Sequence, residues 1–397
     1  MSTRRHSAQD VAARAISTSI VASPTTAEPL RILMVTARYL PDIGGTEVHT
    51  KELAERLAAL GHDVTVLTTD LWDELPGVEW TSRVRIRRVR AWPADRDYYF
   101  APSIFRIVTR GRWDIVHCQG YHTLVAPITM LAAWRARIPF VVSFHSGGHS
   151  SAFRRAIRGM QRRALRPLLA RAHRLVGGST FEAQYFEKKL GLPSEKFAVV
   201  PVVAHLPVVT APDPESDGTT LLVSIGRLER YKGHHRAIEA MPLVIEQVPN
   251  ARLRVVGDGP YESELWRLAE ELGVDDDVEI KSIPLDRRDE MAHLLHRASL
   301  VISLSEYESA GLAVREALAA RRQALLLQTS ALTELAESPL VQQIPMQSTK
   351  EQIARAIVEQ LRRPAIADAA RNPTWDSCVA AYDAIYRAAV RDARCVS

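Results

Sequence analysis

Short apolar runs alternate with longer segments of helical periodicity along most of the chain. An apolar run at residues 31–35 is followed by a loop, and then by a segment at 46–61 whose apolar residues recur every three or four positions. Such runs are typical of buried strands, and such segments of amphipathic helices. This alternation predicts parallel sheets with crossover helices.

The predicted strands fall into two series. The first comprises residues 31–35, 64–67, 115–117, 140–144, 175–176 and 198–200, and the second 221–225, 253–256, 278–281, 300–303 and 324–327. A stretch with three prolines and no periodicity lies between the series, and a break at Pro373 precedes a last periodic helix. The predicted fold class is α/β, with two Rossmann-like, doubly wound domains facing across a cleft.

These breaks also give the predicted domain boundaries. We expect a disordered extension at residues 1–29, an N-terminal domain at 30–205, a linker at 206–218 and a C-terminal domain at 219–374. A helix at 375–393 completes the N-terminal domain. The length of 397 residues is too great for one ordinary core, in agreement with this division.

Composition excludes several classes of protein. With 46% apolar and 24% charged residues the chain has an ordinary globular balance, and no window holds the roughly 18 consecutive apolar residues of a membrane span. The first 29 residues lack the apolar core and cleavage site of a secretion signal. Cys118, Cys378 and Cys395 have no paired spacing, which argues against a structural zinc site and for a reducing compartment. We expect a cytoplasmic protein.

Charge is distributed unevenly along the chain. Residues 1–205 contain 29 Lys+Arg and 17 Asp+Glu, and since the whole chain has 51 and 46, the remainder contains 22 and 29. The first half therefore carries about +12 and the second about −7. A basic half can face nucleic acid, a membrane surface or an anionic substrate, and charge alone leaves these open.

Two loops at predicted strand ends carry candidate phosphate chemistry. Gly44 and Gly45 lie between the first strand and its helix, where glycine lets the backbone approach an anion and the helix supplies N–H donors. An ordinary turn would have the same residues. Arg227 and Lys232, five positions apart on the loop that opens the second domain, can converge on a phosphate. The alternative is a solvated basic loop.

Two further strand ends carry candidate sugar-binding groups. Glu308 precedes a predicted helix and Glu316 lies inside it, and carboxylates accept strong hydrogen bonds from sugar hydroxyls. Taken alone, Glu316 could be an ordinary surface acid. His145, after the strand at 140–144, could bond to a sugar hydroxyl or polarise the reacting centre.

The aspartates at 275–277 lie between a helix and a strand, so we interpret them as turn residues and predict no metal site. Exposed N–H groups are expected at Ser309, Ala310, Gly311 and Leu312.

Four motifs, taken in order, resemble glycosyltransferase family 4. They are PDIGGTEVHTKELAERLAALGHDVTVLT, SIGRLERYKG, RLRVVGDGPYESEL and SEYESAGLAVREALA, and the resemblance extends from about Arg31 to Tyr386. It implies a GT-B fold and a metal-independent, retaining glycosyltransferase whose second domain holds a nucleotide sugar. The resemblance further implies roles for the candidate residues. At the phosphates, Gly45 approaches the donor, and Arg227 and Lys232 bind the diphosphate. Glu308 binds the transferred sugar, which His145 faces, Glu316 binds the ribose, and Ser282 and Ile283 lie near the base.

The resemblance also implies the reaction partners. A UDP- or GDP-sugar is the co-substrate with no other cofactor, and the acceptor is a hydroxyl of a glycan or lipid-linked molecule in polysaccharide or glycolipid biosynthesis. Retention without a protein nucleophile implies front-face attack, in which the leaving phosphate helps to deprotonate the acceptor. The protein then supplies positioning and charge stabilisation.

Three departures from the family pattern motivate an alternative function. Arg321 and Gln323 stand in the places of glycine and proline, Pro201 is followed by three apolar residues, and Ser282 replaces a glycine. A catalytically inactive nucleotide-sugar-binding homologue is therefore one alternative. A nucleic-acid-binding protein is another alternative. It is disfavoured because the sequence has no nucleic-acid recognition module and no aromatic residues interleaved with the arginines. A dinucleotide oxidoreductase would need a G-x-G-x-x-G after a first strand, and neither domain has one.

Residues 151–174 form a basic arm, SAFRRAIRGMQRRALRPLLARAHR, with eight arginines and no acid. A helix of this composition can dock on anionic lipid at the inner face of the plasma membrane and bring the first domain to a lipid-linked acceptor. The alternative is a solvated arginine face on a packed crossover helix. The same half also contains Arg83, Arg85, Arg87, Arg88 and Arg90, which favour docking.

Overall fold

Two sheets organise the chain in this computed structural model, which describes residues 28–42, 44–93, 99–146, 152–207, 209, 218–284, 286–363 and 372–396. The first sheet has the strand order β3-β4-β2-β1-β5-β6-β7-β8 and is parallel except for the pair β3–β4. Its strands are β1 (Arg31–Thr36), β2 (Asp63–Asp70), β3 (Val78–Thr81), β4 (Val84–Arg90), β5 (Ile115–Gln119), β6 (Phe140–Ser143), β7 (Arg174–Gly177) and β8 (Phe197–Val199). The accompanying helices are α1 (Gly45–Ala59), α2 (Ser103–Arg110), α3 (Val125–Arg135), α4 (Ala152–Leu169) and α5 (Thr180–Leu190).

The second sheet is parallel and has the order β11-β10-β9-β12-β13-β14, which is the strand order of a Rossmann fold. Its strands are β9 (Thr220–Ile225), β10 (Ala251–Val256), β11 (Val278–Ile280), β12 (Leu300–Ser303), β13 (Ala324–Leu327) and β14 (Val341–Ile344). Its helices are α6 (His234–Ile245), α7 (Glu262–Leu272), α8 (Arg288–Arg297), α9 (Leu312–Ala319) and α10 (Lys350–Arg362), and the chain continues into α11 (Trp375–Val396).

Each sheet is buried on both faces because its strands are apolar at successive positions. In β1, Leu33 belongs to one apolar cluster and Met34 to another, as the alternation of side chains along a strand requires. The cluster on the Met34 face includes Tyr382 and Tyr386 of α11, which are 2% and 0% exposed. The last helix therefore packs on the first sheet.

All eleven predicted strands are present, and β3, β4 and β14 are additional. The β4 sequence VRIRRVR alternates, with Val84, Ile86 and Arg88 buried, but its many charges hid this pattern. Arg88 is 7% exposed, pairs with Glu79 at 2.7 Å and donates to a backbone carbonyl. Its inclusion among the arginines that favour membrane docking was therefore wrong, because a buried, paired guanidinium cannot reach a lipid surface.

Candidate active site

The strand order of the second sheet reverses between β9 and β12, and ligands of doubly wound folds bind at the carboxyl ends of strands at such a point. Two loops leave the sheet there, at residues 226–233 and 304–311, and we call them the switch loops. They carry three predicted site residues, Arg227, Lys232 and Glu308. The predicted diphosphate loop and the predicted sugar carboxylate therefore lie at the same edge of the sheet.

Gly233 allows the switch loops to touch. Its φ is 74°, and a Cβ at this position would collide with the carbonyl oxygen of Leu304, so only glycine fits. This approach places Lys232 Nζ 2.6 Å from Glu308 Oε1, which also accepts a hydrogen bond from Ser305 Oγ at 2.9 Å. The predicted cation and the predicted sugar-binding carboxylate thus form a mostly buried ion pair.

Arg227 is held by its own switch loop. Its guanidinium donates to the hydroxyl of Tyr231 at 3.2 Å and pairs with Glu229 at 2.9 Å. More than half of the Arg227 side chain, 54%, stays exposed. The guanidinium is therefore partly anchored and still open to an anion.

Glu316 lies in the first turns of α9 and is 5% exposed. Burial raises the pKa of its carboxyl to about 7, although the guanidinium of Arg288 acts in the opposite direction. Arg288, at the start of α8, pairs with Glu316 and donates to the carbonyl oxygen of His205 at 2.9 Å. The sequence analysis did not identify Arg288, because nothing in its charged surroundings DRRDE distinguishes it from a surface arginine.

The amino ends of α1 and α9 face each other across the two domains. Gly311 precedes α9 with a φ of 65°, and a Cβ on Gly45, at the start of α1, would lie 3.9 Å from Leu312 Cδ2. Close by, the carbonyl oxygen of Ser309 accepts a hydrogen bond from Ser179 of the first domain. The predicted glycine loop and the segment at 309–312, including the buried Ala310, therefore lie on opposite sides of one cleft.

Gly44 caps α1 in an extended conformation, with φ −154° and ψ 175°. A Cβ here would collide with the carboxylate of Glu47, so the missing side chain keeps the first turn of the helix accessible. The cap makes no side-chain hydrogen bond to the helix. The N–H groups at this helix end are thus suited to an anion.

His145 follows β6 and has a φ of 44°, which is unusual for a residue other than glycine. Its Nε2 lies 2.6 Å from Gln119 Oε1, and Gln119 Nε2 lies 3.1 Å from Nδ1 of His117. Burial, together with the neighbouring His49 and His122, lowers the pKa of His145 to about 3. The imidazole is therefore neutral, donates its Nε2–H to Gln119 and keeps Nδ1 as an acceptor. Sequence reasoning missed Gln119, whose only signal is a polar residue at a buried strand end.

A cavity of about 260 Å³ opens beside His145 in the first domain. Its lining includes the guanidinium groups of Arg38 and Arg158 and the carboxyl of Glu47. The two arginines outnumber this one carboxyl, and burial raises the pKa of Glu47. The cavity is therefore suited to a polar ligand that carries negative charge.

The segment predicted to contact a base is only partly open. Ser282 is exposed, whereas the side chain of Ile283 is 8% exposed and packs in the core with Met291. The three consecutive aspartates form the turn Asp275–Asp277 between α7 and β11, and the last of them pairs with Arg252 at 2.8 Å. Within the described ranges, no three His, Cys, Asp or Glu side chains are grouped to hold a metal ion.

The basic arm comprises α4, a turn and the start of β7. Leu165 and Leu169 are buried in the first core, whereas Met160 and Arg163 are exposed. Arg166 donates to the carbonyl oxygen of residue 190 at 2.7 Å. The arm is thus a packed crossover helix with an outward arginine face. Residues 147–151 and the side chains of 152–157 lie outside the described residues.

Two Rossmann-like domains whose strand ends face each other across a cleft define the GT-B class of glycosyltransferases. Residues 43–202 match the family model described as Glycosyltransferase Family 4, and residues 211–372 match the model described as Glycosyl transferases group 1. The chain belongs to this glycosyltransferase family.

Individual relatives agree with this assignment. A D-inositol 3-phosphate glycosyltransferase of Nocardiopsis dassonvillei is 28% identical over 78% of this chain and 81% of its own length. Sucrose-phosphate synthase of Thermosynechococcus elongatus has a TM-score of 0.65 at 19% identity, covering 92% of this chain and 99% of that one. Anabaena HepE, solved with UDP and glucose, has a TM-score of 0.64 at 16% identity, covering 91% and 98%. These structures share the fold.

None of the helices in the described part of the chain has the length and apolar character to cross a membrane.

Proposed function

We propose that this glycosyltransferase is retaining and metal-independent, and that it transfers a sugar from a UDP- or GDP-sugar to a hydroxyl of a glycan or lipid-linked acceptor. The ion pair between Lys232 and Glu308 carries the proposal. In this pair, Lys232 can bind the diphosphate and Glu308 can bind the sugar. Both lie at the strand ends that face the amino end of α1. Among relatives of known structure, HepE was solved with UDP and glucose.

Donor binding replaces the Lys232–Glu308 contact with contacts to the ligand. The ammonium of Lys232 moves to the diphosphate together with Arg227, and Glu308 accepts hydrogen bonds from hydroxyls of the transferred sugar. The N–H groups at Gly45 and around Gly311 approach the phosphates, and Glu316 binds the ribose. These fixed positive groups stabilise the charge that develops on the leaving diphosphate, so no metal ion is required for that task.

The transfer is a front-face substitution. The bond from the anomeric carbon to the diphosphate oxygen breaks while a bond to the acceptor oxygen forms on the same face, and the acceptor proton passes to the departing phosphate. Neutral His145, held by Gln119, accepts a hydrogen bond at Nδ1 and orients the reactants. The protein contributes orientation and electrostatic stabilisation.

The acceptor binds in the first-domain cavity beside His145. Arg38 and Arg158 favour an acceptor that carries negative charge. The Nocardiopsis relative is named for inositol 3-phosphate, a phosphorylated molecule, and this agrees with a negatively charged acceptor.

A thermal-shift screen with UDP, GDP, ADP and their sugars tests the donor. One nucleoside diphosphate should raise Tm by an amount that grows with its concentration, and Lys232→Ala should abolish the shift. Transfer to an acceptor, with the anomeric configuration of the product read by NMR, tests retention. Stabilisation without any turnover supports the inactive homologue instead, and no stabilisation at millimolar nucleotide defeats the proposal.

The basic arm serves peripheral docking on an anionic membrane, at the inner face of the plasma membrane. The helix α4 contacts α3, which exposes Leu131, and α4 itself exposes Met160. Each arginine near an anionic leaflet contributes about 1 kcal/mol, and salt screens this attraction.

Liposome co-sedimentation tests this docking. Binding should require anionic lipid, fall as salt rises, and disappear when Arg162 and Arg163 are replaced by Gln. The same substitutions should leave the nucleotide thermal shift intact, which controls for folding. Competing RNA distinguishes lipid from nucleic acid, and equal binding to neutral vesicles would refute the docking.

A further inference from the structure

A second cavity lies at the other end of the first sheet from the cleft. It has a volume of about 560 Å³ and opens where β6, β7 and β8 begin, between the end of α3 and α11. Ligands of this fold class bind at the carboxyl ends of strands, whereas this cavity lies at their amino ends. Its basic lining residues are Arg135, Arg137, Arg171, His173 and Lys196.

The charge of this cavity is unbalanced. Among its described lining residues Asp392 is the only acid, and its 71% exposed carboxylate lies 3.7 Å from His173 Nδ1. The guanidinium groups of Arg135 and Arg137 make no ion pair or hydrogen bond with any described residue. Burial lowers the pKa of Lys196, and the guanidinium of Arg174 acts in the same direction.

Arg137 is held in a backbone conformation that favours glycine. Its φ is 58°, and it follows α3 as the left-handed residue of a helix cap in which its N–H donates to the carbonyl of Trp134. A side chain at such a position destabilises the fold relative to glycine. Arg137 stands at the cavity wall, and its guanidinium has no partner among the described residues.

The cavity also has an aromatic wall. The side chain of Trp134 is 47% exposed, and the guanidinium of Arg171 lies 4.5 Å from its ring centroid. In addition, Nε2 of His173 is buried with no partner among the described residues. The site therefore offers cations, a hydrogen-bonding nitrogen and a flat apolar surface together.

We propose that this cavity binds a phosphate ester, with the phosphate on Arg137, Arg135 and Lys196 and the organic part against Trp134. Several cations opposite one acid favour an anion of more than one charge, and guanidinium forks match phosphate oxygens. A volume of this size accommodates a small phosphorylated molecule. A lipid headgroup and a free phosphorylated metabolite both have this chemistry.

The chain supplies a matched control for the test. Arg321 has the same φ of 58° and also caps a helix, α9, but it lies in the second domain. Arg137→Gly and Arg321→Gly each remove one positive charge and relieve the same backbone strain. Without ligand, both variants should therefore melt at or above the wild-type Tm.

Calorimetric titration with inorganic pyrophosphate, in the presence of saturating UDP and GDP to fill the donor site, separates the two variants. We expect Kd for pyrophosphate to rise at least about ten-fold in Arg137→Gly and in Lys196→Gln, and to stay unchanged in Arg321→Gly. Wild-type affinity in Arg137→Gly, or an equal loss in Arg321→Gly, overturns the proposal.

Vesicles of phosphatidylcholine with and without phosphatidic acid distinguish the two sources of phosphate. If Arg137→Gly loses binding to the phosphatidic acid vesicles as well as to pyrophosphate, the cavity takes a lipid headgroup. If it loses only pyrophosphate binding, the ligand is a free phosphate ester. Both results support the site, and a variant that retains both activities refutes it.

Discussion

Replacing Arg288 by methionine should make the stability of the protein fall more steeply with pH above pH 7. Arg288 pairs with the buried carboxyl of Glu316, whose pKa is raised from 4.5 to about 7. Without the guanidinium, only a backbone hydrogen bond from His205 still opposes burial, so the pKa of Glu316 rises further. Methionine keeps most of the length of the arginine stem, so the change acts mainly on charge.

The size of the effect follows from proton linkage. Folding raises the pKa of this carboxyl above its unfolded value of 4.5. The free energy of unfolding is therefore unaffected below pH 4.5, and it falls by about 1.4 kcal/mol for each pH unit between 4.5 and the folded pKa. In the wild type this loss amounts to roughly 3 kcal/mol between pH 4.5 and 7 and then stops. In Arg288→Met it continues above pH 7, so the variant loses up to about 1.4 kcal/mol more at pH 8.

Urea denaturation at pH 6 and pH 8 measures this difference. At pH 6 the variant should differ from the wild type only by the lost hydrogen bonds from Arg288 to the carbonyl of His205 and to the largely protonated carboxyl of Glu316. In a Glu316→Gln background the effect of the same substitution should change much less between the two pH values, because only His205, whose pKa Arg288 lowers, still titrates beside residue 288. Equal destabilisation at pH 6 and pH 8 in the original background would refute the linkage between Arg288 and Glu316.

Four other outcomes can be checked directly. Lys232→Ala should raise Kd for the nucleoside diphosphate by about 30-fold or more, measured by calorimetry, since a charge-assisted phosphate contact contributes roughly 2 kcal/mol; unchanged affinity would place the phosphate elsewhere. EDTA should leave the initial transfer rate unchanged, and a loss restored by Mn²⁺ or Mg²⁺ would contradict the metal-free mechanism. Gly233→Ala should lower Tm strongly, because a Cβ collides with the carbonyl of Leu304 at a φ of 74°; a wild-type Tm would show that the switch loops can separate. A variant without residues 375–396 should lack a cooperative melting transition for the first domain, since Tyr382 and Tyr386 belong to its core, and retention of that transition would show that the helix is dispensable.

The fold was largely accessible from the sequence because its signals are local. Each central strand is a short apolar run, and each helix repeats apolar residues on one face, so the order of elements and the class followed from periodicity. The strands β3, β4 and β14, which lie at or beside a sheet edge, were missed for a physical reason. An edge strand such as β14, with the sequence VQQI, is only half covered and so has no need of a continuous apolar run.

Less of the candidate site than of the fold could be predicted from the sequence. Motif position identified Lys232 and Glu308 at strand ends, but their mutual contact depends on how closely two loops approach. The pairing of Arg288 with Glu316 joins residues 28 positions apart, and the bond between His145 and Gln119 joins residues 26 apart. Such contacts are set by tertiary packing, and no local pattern in the sequence encodes them.

The packing of α11 on β1 has a consequence for biosynthesis. The first sheet begins with β1, yet the apolar cluster that contains Met34 is completed by residues translated after the entire second domain. At roughly 5–20 residues per second, translation of residues 220–374 takes on the order of ten to thirty seconds. During that interval the part of this face that α1 does not cover stays open to chaperones or to a neighbouring nascent chain. Synthesis of α11, and not of β8, therefore sets the moment at which the first domain can complete its folding.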